Sequence, residues 1–130
     1  MLLFGHRFIE SNLFYHIFDI DALQKTPPSS TVYLVFSEAN LDIIEHLRLN
    51  KINFALGVKT IRELIYAAAL GASYIMLSKE LAKTAQSIAE TYLFDAKIVV
   101  HIHDEEEIEE LALLGIDGVV FPEAIVKVSF

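Results

Sequence analysis

The sequence predicts one α/β domain over residues 1–130: a mainly parallel sheet of repeated βα units, with a (βα)4β body curled as a half-barrel. A flavodoxin-like open sheet is the alternative. Three observations predict this class. Apolar, strand-like runs recur at near-regular intervals from residue 31 onward. Helical patterns lie between them, long enough to return each strand parallel to the one before. Hydrophobic residues make up 54% of the chain and the mean hydropathy is +0.45, as expected of strands covered on both faces.

Residues 1–30 read as an irregular N-terminal segment. Met1–Phe4 and Phe14–Phe18 are short strand candidates, and Asp19–Gln24 reads as a helical turn. Thr26-Pro27-Pro28-Ser29-Ser30 is a break. The repeated units follow. Val32–Phe36, Ile52–Leu56, Tyr74–Leu77, Lys97–Ile102 and Gly118–Phe121 read as strands. Ile61, Leu64, Ile65 and Ala68 mark one helical stripe, and Leu81, Ala85, Ile88, Ala89 and Tyr92 mark the next. In the last helix Ile108, Leu111 and Ala112 are expected to face inward, with Glu106, Glu109 and Glu110 outward. Thr60 with Glu63 reads as a capping box, and Asp104 with Glu107 as its acidic variant. Asn40 and Ser78 are N-cap candidates, while Gly71 and Gly115 sit where a left-handed residue ends a helix. Phe54–Lys79 aligns without gaps on Ile98–Glu123, an internal repeat of one βαβ unit.

The composition excludes several classes. With no cysteine there are no disulfides, thiolate metal sites or cysteine nucleophile. A net charge of −8 disfavours nucleic acid and acidic membrane surfaces as partners. No apolar run is long enough to span a bilayer and no targeting segment is evident, so a cytoplasmic location is expected. Glycine-rich phosphate loops and nucleophile elbows are missing.

Parallel α/β sheets place their sites beyond the carboxyl ends of the strands. Those ends carry Lys59, Lys79, His101 and His103, which are the candidate ligand-binding residues. The two lysines and the helix N-termini suit a small anion. His101 and His103 stand two apart on a strand and point to one side. Such a pair can share a metal or pass a proton; the plainer reading is one buried, hydrogen-bonded imidazole and one solvated. The carboxylate run Asp104–Glu110 reads as a solvated helix face.

The N-terminal residues resemble a known family. His6-Arg7, Glu10-Ser11-Asn12, Asp19-Ile20-Asp21 and Gln24-Lys25-Thr26 are similar to the opening of the glycerophosphodiester phosphodiesterases, and Gly115-Ile116-Asp117-Gly118-Val119-Val120-Phe121 to their closing strand. That resemblance implies a shortened (βα)8 barrel and phosphodiester cleavage with magnesium or calcium. His6 would be a catalytic histidine, and Glu10, Asp19 and Asp21 metal ligands. The family's second histidine would fall near Ser37-Glu38, where this chain has none.

These features give three functional expectations. The first is a non-catalytic domain that self-associates or binds a partner. The others are an anion or phosphate-ester binding module and a metal-dependent phosphodiesterase remnant. A homodimer is expected because a half-barrel leaves its inner face open, with Val35, Phe54, Leu56, Val99 and Val120 as candidates for that face. The competing way to cover it is a lid made of Phe4, Phe8, Phe14 and Phe18.

Overall fold

A computed structural model describes residues 1–129. Eight strands form one sheet: β1 (Leu2–Phe4), β2 (Phe14–His16), β3 (Thr31–Val35), β4 (Phe54–Gly57), β5 (Tyr74–Leu77), β6 (Lys97–His101), β7 (Gly118–Val120) and β8 (Ile125–Lys127). Four α-helices follow β3 to β6: α1 (Leu41–Leu49), α2 (Ile61–Ala69), α3 (Lys79–Thr91) and α4 (Glu106–Leu113). The strand order is β1-β7-β6-β5-β4-β3-β2-β8, and every pairing is parallel. The segment β3 to β7 is the (βα)4β body expected from the sequence.

The sheet is open and curled, a half-barrel. Two apolar clusters show which face is which. Leu34, Leu56, Ile75, Ile98 and Val100 point outward and pack with Ile44, Leu47, Leu64, Ala67, Ala85 and Leu111 of the helices. The opposite cluster, around Phe4, Phe14, Tyr33, Met76, Val99 and Val120, contains no α-helical residue. A flavodoxin-like sheet would have helices on both faces. Here they cover one.

The inner face is filled by the chain's own N-terminal strands. The ring of Phe4 on β1 lies 4.9 Å from that of Phe14 on β2, although these strands stand near opposite ends of the sheet. Both rings meet Tyr74 of β5 edge-on, at 5.6 and 5.3 Å. This aromatic plug corrects the expectation of an open inner face. Phe4 and Phe14 enter it, while Phe8 and Phe18 stay exposed. Val99 and Val120 line the inner face as expected, whereas Phe54 and Leu56 point the other way, toward the helices. Residues 1–30 form the two short strands and the turn read as candidates from the sequence, the turn being a 3-10 helix at Asp21–Lys25. β8 extends the sheet beyond the last expected strand.

The helices sit in slightly different phases from the sequence reading. Leu64 and Ala67 are the buried centre of α2, and Ile65 lies on its flank, 48% exposed. On α3, Ala82, Ala85, Gln86 and Ala89 are buried, while Tyr92 is exposed. Ala112 of α4 faces solvent. Thr60 Oγ1 accepts from the Glu63 N–H at 3.1 Å, and Glu63 answers by accepting from the Lys59 N–H at 2.8 Å, one residue before the cap. Asp104 makes no such box, because Glu107 N donates to its backbone carbonyl instead. Asn40 donates from its side chain back to the Val35 carbonyl at 2.7 Å.

All four helices end the same way. The N–H two residues past the C-cap reaches back five residues, as in Ile52 to Leu47, Ala72 to Ala67, Phe94 to Ala89 and Ile116 to Leu111. The residue between is left-handed each time: Lys51, Gly71, Leu93 and Gly115. The repeat seen in the sequence maps β4, α2 and β5 onto β6, α4 and β7, and both copies end their helix on glycine.

Candidate ligand site at the carboxyl ends of the strands

Because all strands are parallel, their carboxyl ends gather at one mouth. A cavity of about 270 Å³ opens there, lined by Tyr33, Gly57, Lys59, Ser78 and His101 among others. Strand parity puts Tyr33, Gly57 and His101 on the inner face, and curling aims them at one another. The Tyr33 ring lies 4.7 Å from His16 and 6.4 Å from His101.

Tyr33 is only 6% exposed as a residue, but its hydroxyl oxygen is not buried: it opens onto the cavity and has no hydrogen-bond partner among the described residues. Burial raises its pKa, so it stays a protonated donor at neutral pH. Burial lowers the pKa of His101, and the neighbouring His103 lowers it further. His16 is lowered by burial and then by Lys127. The mouth therefore presents a phenol and two neutral imidazoles. Lys59 supplies a cation, its side chain unpaired among the described residues.

A second cavity of about 570 Å³ adjoins the first and shares Ser78 and His101 with it. Lys79, Glu80, His103, Glu107 and Glu110 line it. Lys79 Nζ lies 2.8 Å from Glu110 Oε2, and this hydrogen bond raises the lysine pKa. The Glu80 carboxyl is lowered by bonds to its own backbone N–H and to the Ser78 side chain. Of the four expected ligand-binding residues, the structure brings Lys59 and His101 to the first cavity, and Lys79, His101 and His103 to the second. His101 is partly buried and His103 exposed, but His101 makes no hydrogen bond among the described residues, unlike the buried, hydrogen-bonded imidazole of the plainer reading.

His6 occupies a separate place on the rim. Its Nδ1 accepts from the Phe8 N–H at 3.1 Å. That bond assigns the proton of the neutral ring to Nε2, which lies 3.0 Å from Glu105 Oε1. Arg7 Nη1 meets the same carboxylate at 3.1 Å. Both ring nitrogens are engaged, so His6 ties the end of β1 to the start of α4. Asp19 accepts from the Ala22 N–H at 2.9 Å and starts a turn, and Glu10 and Asp21 are exposed. Among the described residues, no three carboxylate or imidazole side chains gather in a group able to hold a metal ion. The magnesium or calcium site implied for Glu10, Asp19 and Asp21 is not assembled.

The sequence reading missed Tyr33 and His16. Alternation along Thr31–Val35 could have marked Tyr33 as inner-facing once the helix side of the sheet was known. His16 carries no such signal, because a three-residue strand has too little pattern.

No family model matches this chain, and no curated protein matches it. The likeness to the phosphodiesterases rests on the quoted residues alone. No helix among the described residues is long and apolar enough to cross a membrane.

Proposed function

We propose that this domain is a binding module for a small anionic molecule, such as a phosphate ester, held at the carboxyl-end mouth of the half-barrel. One observation carries the reading. Tyr33 is largely buried, but its protonated hydroxyl opens without a hydrogen-bond partner onto a cavity that Lys59 also lines. A donor that the protein leaves unpaired at the cavity wall is free to bond a ligand oxygen. Titration calorimetry with inorganic phosphate tests the proposal. Saturable binding is expected, weakened about tenfold by Tyr33→Phe and by Lys59→Ala. Absence of saturation at millimolar phosphate would overturn it.

Self-association is a second reading, favoured by a different observation. Leu93 is 83% exposed beside an apolar groove of about 610 Å³ lined by Ile65, Ala68, Tyr92 and Phe94. A second copy of the chain would cover it. Sedimentation equilibrium at micromolar concentration decides this, and a single-chain mass throughout the range removes the reading.

A further inference from the structure

The cavity at Tyr33 holds one standing charge. Among the residues that line it, Lys59 alone is charged, and its ammonium has no partner among the described residues. His101 lines the same cavity, partly buried, its imidazole free of hydrogen bonds and 6.4 Å from the Tyr33 ring. The polar groups around this imidazole come from four places. Tyr33 stands on β3 and Lys59 just past β4. Ser78, Lys79 and Glu80 lie at the start of α3, and His103, Glu107 and Glu110 come from beyond β6 and from α4. Lys79 and Glu110 offset one another at 2.8 Å, and Glu80 is bonded to Ser78. On β7 the residue in register with His101 is Val120, which carries no charge. Burial, and then His103, keep the imidazole neutral at pH 7.

Resting on the anion site proposed above, we infer that the ligand's head is a dianion, with one charge balanced by Lys59 and the other by a proton that His101 takes up on binding. A monoanion is balanced by Lys59 alone. A dianion leaves one negative charge in excess at a partly buried place, and an imidazole without a partner is where a proton settles beside it. The protonated ring then donates to a ligand oxygen, as the Tyr33 hydroxyl does. Linkage is reciprocal: a ligand that draws a proton onto His101 binds more tightly as pH falls. The head is thus a sulfate or phosphate-monoester group rather than a phosphodiester or a carboxylate.

Sulfate and methyl sulfate test this by calorimetry, since both are tetrahedral and neither changes charge in the neutral range. Near neutral pH sulfate is expected to bind about tenfold tighter than methyl sulfate and to take up about one proton, read from binding heats in buffers of different ionisation enthalpy. His101→Gln should abolish the uptake and narrow the gap to about threefold or less. His16→Gln should leave both in place, because His16 touches the Tyr33 ring without lining the cavity. On the unmodified protein, the C2 proton of His101 followed by NMR should titrate at higher pH once sulfate is added. Sulfate binding without proton uptake, uptake that survives His101→Gln, or equal affinity for the two ions would overturn the dianion inference and leave the anion site standing. If sulfate, methyl sulfate and phosphate all fail to bind at millimolar concentration, both fall.

Discussion

The phenol of Tyr33 occupies the space that a side chain at Gly57 would need. A Cβ at Gly57 would meet Tyr33 Oη in overlap and its Cζ at 3.2 Å. Glycine on β4 is therefore what allows the Tyr33 hydroxyl to reach the mouth from β3. Gly57→Ala is expected to displace the ring, cost about 1–3 kcal/mol and abolish phosphate binding. Tyr33→Phe removes a hydroxyl that bonds to no described residue, so stability should change by less than about 1 kcal/mol while binding weakens. Urea unfolding together with calorimetry separates the two variants.

Stability should fall as pH drops from 7 toward 5, partly through His16 and His101. Their pKa values in the fold lie below the ordinary imidazole value of 6.5. As pH falls through 6.5 the unfolded chain takes up these protons first, and the fold loses stability until it too is protonated. The loss due to Glu80, whose carboxyl is lowered from 4.5, comes at more acid pH as its bonds are broken. Replacing both histidines with glutamine should flatten the melting-temperature profile between pH 5 and 7. An unchanged slope would show that other groups set it.

Leu93 and Gly115 hold the same left-handed position at their helix ends, at φ 54° and 75°. A side chain pays a steric penalty there that glycine avoids, partly offset by the greater freedom of glycine in the unfolded chain. Leu93→Gly is expected to stabilise by about 0.5 kcal/mol. Gly71→Ala should cost about 1 kcal/mol from backbone strain alone, since a Cβ at Gly71 would touch nothing within 4 Å. Chemical denaturation of both variants checks the opposite signs.

Leu64 and Ile65 are neighbours on α2 with different expected energetics. Leu64 is fully buried in the outer cluster, so Leu64→Ala should cost about 2–5 kcal/mol. Ile65→Ala, at the rim of the apolar groove, should cost less than about 1 kcal/mol. Similar losses at the two positions would mean that α2 turns a different face to the sheet.

The βα body was legible because three of its four helices, α2 to α4, and its longer strands display their period. Tyr74–Leu77 is recovered residue for residue, and the other four strands to within two residues at either end. The short strands were harder. Ile125–Lys127 has three residues and follows a 3-10 turn at Pro122–Ala124, so nothing in its pattern separates it from a loop. Lys51 and Leu93 were missed as helix terminators because only glycine announces a left-handed residue in sequence. The site was half legible. Lys59 and His101 follow from the rule that parallel strands gather their carboxyl ends. Tyr33 does not, because its role depends on a curl that brings β3 toward β6 across the mouth.

The pairing of β1 with β7 joins Leu2–Phe4 to Gly118–Val120, and β2 joins Ile125–Lys127. As the chain leaves the ribosome, β1 must wait for a partner that is made more than a hundred residues later. The middle βα units have no such wait, since each successive strand from β3 to β7 pairs with the one just completed. The order of synthesis thus favours early assembly of the middle of the domain and late insertion of Phe4. Until that insertion, the inner apolar face is open to water, chaperones and other nascent chains.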